Sequence, residues 1–171
     1  MRREINEDYY IQTLEDYPIQ EIEQFFAENA DYSILSSGAS EPKREARELF
    51  STLPEGKTLE DKFVFGIFER AGKLIGLIDL VKNYPEQDTW IIGLMLLSTQ
   101  NRRQNIGKLI HVAGVKFVKK SGCKKLRLGV LEQNIGGLCF WQSLGYKKCT
   151  QKEMEIHGKI SLVWVLEMDL D

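Results

Sequence analysis

The stretch from residue 90 to residue 131 changes its hydrophobic period twice, and this constrains the fold more than any other part of the chain. "WIIGLMLL" (90–97) is an unbroken apolar run of strand length, read as buried on both faces. A polar stretch follows, and then Ile106, Leu109, Ile110, Ala113 and Phe117 recur at helical spacing. Ser121-Gly122 closes that helix, and "KKLRLGV" returns to strand character. Two strands joined through a helix of this length pair in parallel within one sheet, so the core is α/β with at least one crossover.

Around this unit the chain reads as strand, two helices and a hairpin. "YYIQTL" (9–14) is a first strand, and Ile19, Ile22, Phe25 and Phe26 mark one face of a helix after Pro18. A Ser-Ser-Gly loop (36–38) leads to a second helix, from about Glu41 to Leu53. "KFVFGIFE" and "KLIGLIDLVK" form a hairpin across a turn containing Gly72. Beyond the crossover, Asn134 caps a short helix that ends at Gly145, and "KISLVWVLEMDL" is a closing strand. No repeat or long linker interrupts the 171 residues, which points to a single domain.

Charge divides the chain. Residues 1–61 carry 15 acidic against 6 basic residues, a net of −9, and the remaining residues net +7. Between Asp88 and Glu132 there is no acidic residue, while that interval holds nine Lys and Arg. Such a block is either a solvated helix face or an anion-binding edge. Phe117 is the only aromatic side chain among these basic residues, and it lies in the core phase, so base-stacking platforms for nucleic acid are missing. The basic residues of "MRREINEDYY" have no apolar run behind them, and no apolar stretch reaches the roughly 18 residues of a membrane span. Cys123, Cys139 and Cys149 are odd in number and lack metal-ligand spacing. The expectation is a cytoplasmic protein without disulfides, metal, membrane or nucleic acid.

The polar stretch itself, "RRQNIGKL", joins a buried strand to a helix start. Backbone N–H groups there have no internal partners, and the helix dipole adds partial positive charge. Arg102, Arg103 and Lys108 supply more. Yet a P-loop needs Ser or Thr after Gly-Lys and a glycine five positions earlier, and neither is present. No G-x-G-x-x-G follows the first strand, so dinucleotide binding has no fingerprint.

"LLSTQNRRQNIGKLI" followed by "LRLGVLEQNIGGLCFWQSLGY" resembles the acetyl-coenzyme A signature of the GNAT superfamily of N-acetyltransferases. Its loop pattern, [Q/R]-x-x-G-x-[G/A], matches "RRQNIG" from Arg102 to Gly107, with Asn105 at the first glycine. Asn is the non-glycine residue that best accepts a left-handed backbone, so the turn remains available. The resemblance implies a mixed, mostly antiparallel sheet of about 6–7 strands, splayed between the fourth and fifth and flanked by about four helices. It divides the domain into an acceptor-side part (1–61), a coenzyme-binding core (62–146) and closing strands (147–171).

The same resemblance implies roles. Acetyl-CoA would set its pyrophosphate on the backbone of Arg103, Gln104, Asn105, Ile106, Gly107 and Lys108, beside Arg102. Its pantetheine arm would run along Met95, Leu96 and Leu97, with Asn134, Leu138 and Trp141 on the other side. The Leu97 N–H would receive the oxyanion, and a base would take the amine proton, from Asp79, Glu132 or Tyr84. Asp79 is out of place in an apolar strand. Trp141 stands where many relatives carry a tyrosine that protonates the leaving thiolate, and an indole cannot do so near neutral pH. Packing is the other reading of Trp141. Gly136-Gly137 opens the short helix with two poor helix formers. His111 and His157 read as structural or exposed. The acidic first third favours a cationic amine as acceptor. Trp90 and Trp164 suit a core or a homodimer contact equally. A coenzyme-binding module that no longer transfers is the alternative function.

Overall fold

A computed structural model describes residues 2–170. Its eight strands form one sheet: β1 (Arg2–Glu4), β2 (Tyr9–Thr13), β3 (Lys62–Glu69), β4 (Leu74–Val81), β5 (Thr89–Leu97), β6 (Lys125–Leu131), β7 (Lys147–Ile156) and β8 (Lys159–Asp169). The spatial order is β1-β2-β3-β4-β5-β6-β8-β7. All neighbours are antiparallel except β5 and β6. That parallel pair is the expected crossover, made by α4 (Ile106–Lys120).

Helices cover both faces, because strand side chains alternate sides and both sets are apolar here. On one face α4 and α5 (Ile135–Ser143) place Ile106, Ile110, Val118, Leu138 and Trp141 against Phe65, Ile78, Trp90 and Leu128. On the other, α1 (Ile19–Glu28) and α3 (Pro42–Ser51) place Ile22, Phe25, Phe26, Ala46 and Leu49 against Val64, Phe68, Leu77 and Leu96.

Two elements went beyond the sequence reading. β1 has only three residues, all charged and exposed, and carries no apolar signal. The Ser-Ser-Gly loop is the end of a seven-residue helix, α2 (Asp31–Ser37), with Gly38 in the left-handed C-terminal position at φ 87°. β7, in the stretch expected to hold the closing strands, is an exposed polar edge strand paired with β8. The sheet therefore has eight strands rather than 6–7, and five α-helices flank it rather than four. The helix expected from Glu41 to Leu53 spans Pro42–Ser51, with Pro42 in the first turn, where its missing N–H is harmless.

Two further expectations change. Trp90 is fully buried, stacked on Phe63 at 5.2 Å between ring centroids, so it belongs to the core and not to a dimer contact. β5 is well buried only in its first half, and its remaining residues are mostly half-buried with Gly93 exposed. The reason lies in its pairing with β6.

Candidate active site

β5 and β6 pair only from Thr89↔Lys125 to Ile92↔Leu128. Beyond that point Gly93–Leu97 and Gly129–Leu131 diverge, opening a gap inside the sheet. A bulge begins the divergence: Asp79 pairs with Leu94 and Leu80 with Ile92, so Gly93 is left over. The extra residue bends its strand. Only glycine fits there, because a Cβ on residue 93 would lie 2.6 Å from Asp79 Oδ2.

The gap leaves backbone donors free. Ser98 N–H donates to the Ile75 carbonyl at 2.8 Å, across β4. Backbone groups alternate sides along a strand, so the N–H groups of Leu97 and Met95 turn toward the gap. The Leu97 carbonyl, on the same side, accepts from Arg102 Nε at 2.8 Å.

At the end of β5 the chain makes one 3-10 turn (Thr99–Asn101) and enters the loop. Arg103 (φ 60°) and Asn105 (φ 62°) are both left-handed, and Asn105 is the residue before α4. The left-handed turn expected of Asn105 is therefore present, and Arg103 shares the work. The Leu109 N–H donates to the Asn105 carbonyl at 3.2 Å, which places the N–H groups of Ile106, Gly107 and Lys108 ahead of the helical ladder. These donors, the dipole of a 15-residue helix and the exposed Arg103 and Lys108 make a site for an anion. Ile106 adds only its backbone, since its side chain is in the core.

Gly107 is needed for another reason. A Cβ there would approach the Phe140 ring to 3.1 Å and Met95 Cε to 3.7 Å. Gly107, Phe140 and Met95 thus converge where the loop meets the gap. The sequence left Trp141 two readings, a place beside the thiolate or packing. In the structure Trp141 is buried among Phe140, His111 and Tyr146, with ring centroids 5.1–6.0 Å away, while the preceding Phe140 borders the gap. Leu138 likewise belongs to the core. Successive helical residues point about 100° apart, so a one-residue error exchanges core for cleft. The motif gave no signal for Phe140.

Asn134 borders the gap from the β6 side. Its Oδ1 accepts from Gly137 N–H at 2.9 Å, the N-cap expected, and its Nδ2 has no acceptor among the described residues. A Cβ on residue 137 would come within 2.5 Å of that Nδ2. Half of the Gly136-Gly137 pair is thereby explained: Gly137 makes room for the Asn134 amide, whereas residue 136 meets nothing within 4 Å.

Arg102 does not stand free beside the loop. Its guanidinium grips Asp31 at 2.5 and 3.0 Å while Nε holds Leu97. Asp31 begins α2, and Asn29 just before it accepts from the Thr99 N–H at 2.8 Å. At the far end of α2, the Leu35 carbonyl accepts from Gln133 Nε2 (3.1 Å) and Lys159 Nζ (2.6 Å). α2 therefore ties the end of β5 to the β6–α5 loop and β8, bridging the gap on the α1–α3 face. Sequence periodicity missed this helix altogether.

The expected bases fall in three different places. Tyr84 lies in the β4–β5 turn, its N–H bonded to the Thr89 carbonyl, which puts it about 26 Å of strand away from Leu97. That distance removes it. Asp79 lies opposite Leu94, about 10 Å along the strand from Leu97. Its Oδ2 is 2.8 Å from Lys62 Nζ, and its Oδ1 is buried without a partner. Burial raises its carboxyl pKa, and the Lys62 charge opposes the rise. Glu132 is exposed at the open end of β6, where Oε1 accepts from Gln151 Nε2 at 2.7 Å.

The histidines lie outside the gap. His111 Nε2 is 3.1 Å from Tyr146 Oη in the core, and burial depresses its pKa to about 4. His157, in the β7–β8 turn, pairs with Glu48 of α3 at 3.1 Å.

An α/β/α sandwich whose sheet splays at one parallel pair, with a helix start facing the splay, defines a fold class shared with many transferases of known structure. Spermidine N-acetyltransferase from Vibrio cholerae, solved with CoA and spermine, aligns at a TM-score of 0.72 with 16% identity over 96% of both chains. The Thermoplasma acidophilum PaiA N-acetyltransferase in complex with coenzyme A aligns at 0.68, with 20% identity over 95% of this chain and 99% of that one. The ribosomal-protein-S18-alanine N-acetyltransferase of Escherichia coli aligns at 0.69, with 14% identity over 94% and 93%. No curated protein sequence matches significantly. The family model described as Acetyltransferase (GNAT) family matches residues 3–146, and the chain belongs to that family of acyltransferases.

Proposed function

We propose that this enzyme transfers the acetyl group of acetyl-CoA directly to a primary amine of a cationic acceptor. The observation that carries the reading is the opened β5 edge, whose free N–H groups lead to the unpaired N–H groups at the start of α4. A diphosphate suits the loop from Arg103 to Lys108, and an extended arm with two amides suits Met95–Leu97 on one side and Asn134 on the other. Met95 and Phe140 supply apolar contact; Trp141, Leu138 and Ile106 support them from the core.

In this reading the amine nitrogen attacks the thioester carbon, and the Leu97 N–H stabilises the developing oxyanion. The C–S bond breaks, the amine loses a proton, and the thiolate gains one from solvent, since an indole at Trp141 cannot supply it near neutral pH. The base is Asp79 or Glu132. Burial raises the Asp79 pKa, but its carboxylate is held by Lys62; Glu132 is at the open end. The −9 net charge of residues 1–61 supports a cationic acceptor, and the relative that was solved with spermine is in line with it. Three free cysteines support action in the cytoplasm.

The test has two stages. Thermal unfolding is followed with acetyl-CoA, coenzyme A, ATP or NAD; a ligand at 100 times its Kd adds about 2.7 kcal/mol. Stabilisation by the two coenzyme A compounds alone is expected. Thiol release is then measured with spermidine, an aminoglycoside, a lysine peptide and an uncharged amine. Turnover with at least one cationic amine supports the proposal. Coenzyme binding with no turnover on any amine overturns it in favour of a binding module. In the active case, pH–rate profiles of Asp79→Asn and Glu132→Gln identify the base.

A further inference from the structure

We infer that a cavity between α4 and the β1–β4 half of the sheet binds a small amphipathic carboxylate, an apolar tail carrying one anionic head. The cavity measures about 220 Å³ and lies on the α4–α5 face. Its inner wall is Phe65, Ile78 and Leu80 of the sheet, all at most 3% exposed, with Gly114 and Phe117 of α4 opposite. Apolar cavities of about 150 Å³ lined by such residues stay dry and accept a benzene-sized guest. This one holds a somewhat longer chain.

The rim selects the head group. Arg3, Lys116 and Lys120 surround the opening. Neither lysine has a carboxylate partner among the described residues, and the Arg3 guanidinium stands 5.6 Å from the Phe117 ring centroid. The one acid on the rim, Glu4, is already paired with Arg2 and Arg70 at 3.2 Å each. An apolar wall beneath three cations and a neutralised acid recognises a tail with a negative end.

Gly114 keeps the space open. Glycine is unfavourable in a helix interior against alanine. No crowding requires it: a Cβ there would meet only Ile78 Cδ1, at 3.7 Å, an ordinary contact. The chain thus leaves out a methyl group that fits, at the point where a side chain would begin to fill the cavity. The site is separate from the coenzyme loop. Gly114 lies nine residues along α4 from Asn105, about 13 Å.

Titration calorimetry with octanoate, and with octanol as its neutral analogue, tests the inference on the full chain. Octanoate is expected to saturate at one site per chain and octanol to bind at least tenfold more weakly. Gly114→Leu fills the cavity and is expected to abolish octanoate binding while acetyl-CoA affinity is unchanged. The surface double variant Lys116→Glu, Lys120→Glu leaves the core alone and is expected to weaken octanoate at least tenfold. Equal affinity for octanol and octanoate overturns the inference. So does octanoate binding that survives both variants, or the absence of saturable binding to the wild-type chain. Because the readout is octanoate, failure here leaves the acetyl-transfer reading untouched, and the reverse also holds.

Discussion

Arg102 and Asp31, 71 residues apart, form a two-point ion pair at 2.5 and 3.0 Å, and the same guanidinium holds the Leu97 carbonyl. The first residue of the loop before α4 is therefore committed to α2 and to the strand end. Asp31→Ala is expected to change stability by no more than about 1 kcal/mol, because the pair is partly exposed. Its kinetic effect is expected on the acceptor, whose KM rises as α2 loosens, more than on acetyl-CoA. The Arg102 hydrogen bond lowers the Asp31 pKa. The pair's contribution is therefore present above the ordinary aspartate pKa and is lost as pH falls through the depressed value. A rise confined to the acetyl-CoA KM would show that the link acts through the loop and not through α2.

Asn105 separates backbone tolerance from side-chain contact. At φ 62° a glycine relaxes the residue, while a β-branched side chain strains it. Asn105→Gly is expected to hold or raise the unfolding midpoint, and Asn105→Val to lose about 1–2 kcal/mol. Differential scanning calorimetry of the two variants reads the difference directly.

Lys62 and Asp79 make the buried ion pair beneath the bulge, with side chains 3% and 11% exposed. Lys62→Met leaves the carboxylate uncompensated and is expected to cost about 3–5 kcal/mol at neutral pH. The Asp79 pKa is raised by burial. A raised carboxylate favours folding fully below the unfolded pKa and loses that contribution as pH rises through the folded value. The defect of Lys62→Met should therefore shrink as pH is lowered, and urea midpoints at several pH values measure this. Lys62→Met with Asp79→Leu should recover much of the loss.

His111 has the opposite sign. Its pKa is depressed from 6.5 to about 4 by burial. Its contribution is present above pH 6.5 and is lost as pH falls toward 4, where the ring charges inside the core. Wild-type stability should decline across that window, and His111→Phe should flatten the decline. An unchanged slope in the variant would place the acid sensitivity elsewhere.

Gly137 offers a case of offsetting terms. Alanine there gains about 1 kcal/mol of helix propensity, but its Cβ displaces the Asn134 cap, worth about 1 kcal/mol. Stability should barely move. Coenzyme affinity should fall several-fold if Asn134 holds the pantetheine arm, and calorimetric titration with coenzyme A reads it.

The reach of sequence reasoning follows the distance over which each feature is encoded. The β5–α4–β6 crossover, the Asn134 cap and the left-handed Asn105 were all legible, because each depends on neighbours within a few positions. β1 was not: its residues are exposed and charged, and it is a strand only because β2 holds it. α2 was hidden by Ser-rich composition, and contacts to Arg102, Gln133 and Lys159 hold it in place.

By itself the sequence determined an α/β chain with a crossover helix whose start gathers unpaired N–H groups and basic residues. Periodicity and backbone preference are local properties, and these were sufficient; the opening of the sheet beside that start was implied by the family resemblance alone. Tertiary structure alone decided which residues meet in the opening. It turned Phe140 rather than Trp141 toward Gly107, engaged Arg102 with Asp31, buried Asp79 on Lys62, and left Tyr84 at the far end of β5. Each outcome rests on the direction of a side chain or on contacts between residues far apart along the chain. Neither is fixed by local pattern, because the partners come within reach only once the sheet has formed.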